Sequence, residues 1–327
     1  MHRRFTGPVP VVLTVALAGM LAVEARAWQA PQTNGHGPVT LSVVALNGPF
    51  RPGGVALVQV TPSTELAALE GEAFGRPVRF WPAASSTGWR GLVGVGLTAP
   101  PGSHKVMIRG RGPDGRAATT VVSLLVEPGR FETRRLRVEP RLVNPPEEEA
   151  ARIAEETRAL AAAFSEVTVE RLWRGRFDAP VPGVASSSYG RLTVLNGEPS
   201  GRHQGTDFRA AVGTPVHAPN AGRVVLAKDL YFAGNTVILD HGLGVFSLVA
   251  HLSRIDVAVG DRVSRGHVLG QSGATGRVTG PHLHWAVRFG ETSVDPLSLV
   301  AAVTRISDED ATVPLPPDPL TPFPLAP

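Results

Sequence analysis

Glycine and proline interrupt this chain so often, 36 and 30 times in 327 residues, that little room is left for long helices. A mid-element Gly costs conformational entropy and a Pro removes a backbone donor, so regular structure must come in short pieces. The pieces between them are rich in β-branched and apolar residues. Thr40 to Leu46, Val55 to Thr61, Pro77 to Trp81, Gly91 to Leu97, Lys105 to Arg109 and Thr119 to Val126 read as strands. Turn signals such as Asn47-Gly48 and Asp114-Gly115 lie beside them. Their spacing of roughly 12 to 20 residues predicts an antiparallel sandwich of immunoglobulin-like type over 38–130.

One segment departs from this grammar. Asn144 is placed to cap a helix, Pro145 suits its first turn, and Glu147, Glu148 and Glu149 complement the positive end of its dipole. Ile153, Leu160 and Phe164 then share a face. The pattern predicts a helix over 145–165 within a connecting strand-and-helix region, 131–180. Beyond Pro180 the β grammar resumes, with Gly222 to Ala227, Asn235 to Asp240, Val245 to His251, Val263 to Gly270 and His282 to Arg288 as strands of an antiparallel sheet domain over 181–305. Residues 306–327 end in a Pro-rich run that reads as an extended tail. The expected class is therefore mainly β, in two units joined by a helix.

The N-terminus has the layout of a secretory signal peptide over 1–27. His2, Arg3 and Arg4 are followed by an apolar stretch from Val9 to Val23, then Ala25-Arg26-Ala27 as a small-residue cleavage site. That stretch is short for a bilayer span, which needs about 20 residues, and no other segment is long and apolar enough. The expectation is an exported protein, periplasmic or in the cell envelope, with no membrane span after signal removal. Cys is absent, which excludes disulfides, thiol nucleophiles and Cys-ligated metals. A net charge of +4 is mild, and no basic run or aromatic-basic interleaving points to nucleic acid.

Chemistry concentrates in the histidines between 203 and 284. In His203-Gln204-Gly205-Thr206-Asp207, an extended backbone would turn His203 and Asp207 to one face, a pairing that suits a divalent metal. In His282-Leu283-His284 the two imidazoles share a face and Leu283 takes the other. One of the pair can ligate while the other handles protons. His251, in Ala250-His251-Leu252-Ser253, joins them as a fifth member. Three protein ligands, His203, Asp207 and one of the pair, leave a fourth position for water, the arrangement of a catalytic rather than a structural zinc. His241 reads as a turn residue, His104, His217 and His267 as surface residues, and Gly273 to Gly280 as a turn-rich wall of the groove.

Residues 184–300 resemble the lysostaphin-type (LytM-type) metallopeptidase domain. The resemblance runs through Ser188-Tyr189-Gly190, His203 to Asp207, Gly213-Thr214-Pro215-Val216, Asp240-His241-Gly242, Ala250 to Ser253, Gly280 to His284 and Asp295-Pro296. It implies one zinc held by His203, Asp207 and His284, catalytic roles for His251 and His282 with His282 the general base, and peptidoglycan as substrate and partner. It implies hydrolysis of cross-link peptides. The D-alanyl–diaminopimelate link is expected, because only a short Pro-rich end follows Val300 where glycine-bridge cutters often carry a wall-targeting domain. Val249 stands where the family often has Tyr. The alternative is a non-catalytic wall-binding or regulatory protein, whose mark would be a missing ligand; all five residues are present.

Overall fold

The computed structural model describes residues 39–46, 48–83, 88–137 and 145–304. The signal-type segment, Asn47, Asn144 and the Pro-rich tail lie outside the described residues.

Seven strands make up the first unit: β1 (Leu41–Ala45), β2 (Val55–Pro62), β3 (Ala68–Ala73), β4 (Arg76–Pro82), β5 (Trp89–Gly94), β6 (Gly102–Arg111) and β7 (Ala117–Val126). They pair antiparallel along the path β1-β2-β5-β4-β3-β6-β7. Strand β3, sequence ALEGEA, is not among the strands expected from sequence. It is tied to β4 by a tight turn at Phe74 and Gly75, both with positive φ (54° and 70°), the conformation that matches strand twist in a two-residue hairpin.

Strand β2 shows why its sequence is almost continuously apolar. Ala56, Val58 and Val60 pack with Phe80, Val93, Val106 and Ile108 in the core of the first unit. Val55 and Leu57, on the opposite face, join Trp81 and Leu92 in a second core that belongs mostly to the C-terminal half. Both faces are covered, so alternation disappears.

The connecting region supplies β8 (Thr133–Leu136), which runs parallel to β10 (Leu192–Leu195); β10 then pairs antiparallel with β11 (Glu198–Arg202). After a 3₁₀ turn at Glu147–Glu149 comes helix α1 (Ala150–Ser165). Its apolar side buries Phe164 edge-on against Phe246 at 5.5 Å, with Leu226 and Ile238 alongside. Glu156, also buried, accepts from Tyr231 N–H and from Arg152 Nε, both at 2.8 Å, pinning the helix to the sheet.

The second unit is an antiparallel ten-stranded sheet: β9 (Ala185–Ser187), β12 (Thr206–Phe208), β13 (Pro215–His217), β14 (Gly222–Leu230), β15 (Gly234–Asp240), β16 (Val245–Ile255), β17 (Arg262–Val263), β18 (Val268–Ser272), β19 (Leu283–Phe289) and β20 (Thr292–Val294). The run expected as one strand from Val263 to Gly270 is split into β17 and β18 by a turn that includes Gly266. Its principal path is β17-β14-β15-β16-β19-β12-β9. Helix α2 (Pro296–Val303) closes the chain's described part, capped by Asp295, which accepts from Leu297 N–H at 3.0 Å.

The two units share apolar packing. Trp81 meets Trp173 edge-on at 5.0 Å, and Trp173 and Phe177, from the connecting region, are fully buried with Phe208, Leu283 and Trp285. Val55 N–H donates to Ser298 Oγ at 2.8 Å, and Asp295 N–H donates to Gly53 O at 2.8 Å.

Candidate metal centre and catalytic groove

Three neighbouring strands, β12, β19 and β16, carry or flank the five residues singled out in the sequence. Asp207 lies on β12 directly opposite His284 on β19, and His284 lies opposite Ala250 on β16. His203 is not on the same strand as Asp207, contrary to the extended reading; it sits in the loop between β11 and β12, and that loop swings its ring over Asp207. His203 Nε2, Asp207 Oδ1 and His284 Nδ1 form a triangle with every side 3.0 Å.

This triangle fits a small divalent cation. Donors about 2.0–2.1 Å from a tetrahedral zinc stand about 3.3 Å from one another. His203 Nδ1 faces Ser188 O at 3.0 Å, so Nδ1–H is the donor and Nε2 keeps its lone pair. Two ring nitrogens and a carboxylate oxygen then converge as electron-pair donors, the set a cation needs. Gly205 is part of the same construction. A Cβ there would stand 2.6 Å from His284 Cε1 and 2.6 Å from Trp285 O, so only Gly lets the loop close over the ring. Its place inside the His203–Asp207 motif was visible in sequence, but its role was not.

His251 and His282 border the triangle without completing it. His282 Nε2 is 3.9 Å from Asp207 Oδ1, and the His251 and His282 rings are 4.8 Å apart. Each is held through Nδ1 by a backbone carbonyl: His282 by Gly280 at 2.8 Å, His251 by Thr275 at 3.0 Å. Both therefore turn Nε2 away from that anchor. His251 reaches its place through a bulge. Val249 pairs with Val237 and Leu252 with Asn235, so Ala250 and His251 oppose Thr236 alone. At the bulge His251 takes φ of 65°, a left-handed conformation costing a non-Gly residue roughly 1–2 kcal/mol.

Burial and charge set the protonation of the group. Burial alone would raise Asp207, but hydrogen bonds and charge from His203 and His284 hold it well below the usual carboxylate range. Burial, reinforced by the neighbouring His284 and His282, lowers His251 to about 4. His284 is also lowered by burial, against the pull of Asp207. At neutral pH Asp207 is therefore ionised, and His251 and His284 favour the neutral form.

The site opens into a groove of about 890 Å³. Leu160, Ala161 and Phe164 of α1 form one wall, Arg134 and Leu136 of β8 another, and Arg277, Val278 and Thr279 a third. The turn-rich segment after Gly273 thus lines the groove, as its composition suggested. Val249, where lysostaphin-type domains often have Tyr, faces the core at 1% exposure, while Leu248 and Ala250 line the groove. His241 occupies the turn after β15 but is fully buried, paired through Nδ1 with Ala221 O at 2.7 Å and through Nε2 with Ser247 Oγ at 2.8 Å. His267 is exposed, whereas His104 and His217 are half-buried, His104 against the Phe74 ring and the Pro100 carbonyl.

Residues 201–296 match the profile of Peptidase family M23. A solved structure of a candidate M23 peptidase from Pseudomonas aeruginosa is 34% identical, with a TM-score of 0.62 over 79% of this chain and 97% of that one. The chain belongs to peptidase family M23. Curated relatives are similar to this M23 member over part of their length. The peptidoglycan DD-endopeptidase ShyA of Vibrio cholerae is 49% identical over 83 residues, 25% of this chain and 19% of that protein. The DD-carboxypeptidase/endopeptidase Mpg of Neisseria meningitidis is 39% identical over 108 residues, 33% of this chain and 25% of that protein. The chain thus spans a quarter or less of the length of these relatives.

Proposed function

We propose that this M23 member is a zinc-dependent endopeptidase that hydrolyses peptide cross-links of peptidoglycan in the cell envelope, at the D-alanyl–diaminopimelate bond. The observation that carries the reading is the 3.0 Å triangle of His203, Asp207 and His284 beside two further histidines in an open groove. The names of the similar ShyA and Mpg, DD-endopeptidase and DD-carboxypeptidase/endopeptidase, support the substrate class and bond.

In this reading His203, Asp207 and His284 are the metal ligands. A zinc ion held there supplies Lewis acidity and a bound water of lowered pKa. His282 Nε2 takes the proton of the attacking water and passes it to the leaving amine, its ring fixed by Gly280 O. His251, neutral near pH 7 with Nδ1–H donating to Thr275 O, presents the Nε2 lone pair to the groove, where it accepts a hydrogen bond from the attacking water and orients it. The walls from α1 and β8 confine an extended peptide over the five residues.

The immunoglobulin-like reading of 38–130 belongs to the same proposal. The path β1-β2-β5-β4 continuing into β3-β6-β7 follows the strand order of that sandwich, and supports it. The boundaries at 131–180 and 181–305 are retained as functional divisions, with Trp173 and Phe177 packing into the peptidase side.

The test combines metal analysis with digestion of purified cross-linked muropeptide dimers and, separately, pentaglycine. Wild-type protein should carry one zinc and release monomers from dimers. His203→Ala should lose zinc, whereas His282→Ala should keep zinc and lose on the order of 10²–10⁴ in rate. Intact dimers beside cleaved pentaglycine would overturn the bond assignment, and zinc lost from His282→Ala but kept by His284→Ala would overturn the roles.

A further inference from the structure

Arg191 is the feature that the catalytic reading leaves unused. It precedes β10 and lines the groove, its side chain only 15% exposed. Its Nε is buried with no hydrogen-bond partner among the described residues. A buried guanidinium donor without an acceptor is costly, so the cation gains from an anionic partner met through the part of the side chain that stays exposed to the groove. The carboxylate facing it is Asp207, whose two oxygens divide their tasks. Oδ1 faces the histidine triangle, and Oδ2 stands 4.0 Å from Arg191 Nη2, beyond hydrogen-bond reach. Asp207 therefore keeps Arg191 near the centre without satisfying it.

The surroundings carry the same sign. Arg76, Arg134, Arg277 and Arg288 line the groove as well, against Glu291 and Asp207 as its carboxylates. Glu291 is already paired with Arg76 at 2.7 Å. Such a cleft attracts an anionic ligand, and the planar guanidinium fork suits a carboxylate in particular.

We propose that Arg191 is a specificity residue that binds a free carboxylate on the carbon bearing the scissile nitrogen. This rests on the peptidase reading above and deepens it. Two substrate classes present that group: a diaminopimelate residue, which keeps a free carboxylate beside its acylated amine, and a C-terminal amino acid. An internal glycine bridge has an amide there instead and offers Arg191 no charge partner.

The experiment measures binding separately from turnover, using the zinc-loaded full-length protein with His282→Ala as the common, slowly turning-over background. The ligands are N-acetyl-D-alanyl-diaminopimelate and N-acetyl-D-alanyl-D-alanine, each with that carboxylate free or amidated. Affinities are measured by calorimetry in that background with Arg191 intact, Arg191→Gln and Arg191→Lys. With Arg191 intact, at least one acid should bind ten-fold or more tighter than its amide. Arg191→Gln should reduce that ratio to within two-fold of unity with zinc content unchanged, and Arg191→Lys should retain part of it. Which acid shows the larger ratio distinguishes the two sources. Equal binding of acids and amides with Arg191 intact overturns the inference, as does a ratio that survives Arg191→Gln. Loss of zinc in Arg191→Gln also overturns it, by making the residue a support for Asp207. Failure of the unsubstituted protein to cleave any ligand or dimer bears on the peptidase reading alone, since the binding ratios stand without it.

Discussion

His241 should make this protein's stability fall in acid by a calculable amount. Its ring is fully buried, with Nδ1–H donating to Ala221 O and Nε2 accepting from Ser247 Oγ, and edge-on to Phe177 at 5.0 Å. Burial lowers its pKa from 6.5 to about 4, only partly opposed by the bond to Ala221. The unfolded chain takes up this proton near pH 6.5; the folded chain resists it until about 4. The stabilisation is therefore nearly complete at pH 7 and drains as pH falls toward 4. Two-state linkage makes the loss about 2 kcal/mol between pH 7 and 5, and about 3 kcal/mol by pH 4. Urea unfolding followed by tryptophan fluorescence, in EDTA to keep the metal site empty at every pH, measures it. His241→Gln lowers stability at pH 7 by removing a fitted buried ring, but the gap to wild type should shrink by those amounts on acidification. His251 and His284 titrate in both proteins and cancel in the difference. A gap that stays constant from pH 7 to 4 would show that His241 is already protonated in the fold or reaches water, and the reasoning from burial would fail.

Gly205→Ala should fold with an unchanged circular dichroism spectrum yet lose zinc in metal analysis, because the new Cβ meets His284 and Trp285 O at 2.6 Å. His251→Ala and His251→Gly should both lose most peptidase activity, with the Gly variant about 1 kcal/mol the more stable in urea, since only Gly relieves the left-handed backbone at φ 65°. Trp81→Ala, which empties a site against Trp173, should cost about 3–5 kcal/mol in thermal or urea unfolding. It should lower the transition of both halves together.

Most of the strand pattern was legible because alternation and turn chemistry act locally. Strand β3 was not, because Ala68-Leu69-Glu70-Gly71-Glu72-Ala73 has residues of low β preference and is held extended by β4 and β6 on either side. The break between β17 and β18 was hidden for a related reason: the apolar residues continue across a turn. All five site residues were picked out by type and company, and the structure gathers them at one place. The route was misread at His203, since spacing cannot distinguish one extended strand from a loop that returns to the same edge. Gly205 and Arg191 carried no signal of their own. A glycine's necessity and an arginine's missing partner exist only once distant segments meet. His241 looked like an ordinary turn residue because its burial comes from Phe177, in a different segment.

The apolar seam joining Val55, Leu57, Trp81 and Leu92 to Trp173 and Trp285 bears on how this enzyme could be re-engineered. Transplanting 181–305 into another protein would expose the surface those residues cover, so a chimera made by cutting there should precipitate. A usable module needs either the whole 39–304 frame or polar replacements along the seam. By the same reasoning, gene fusions that shuffle the first unit among peptidases would succeed only where both partners retain matching seam residues.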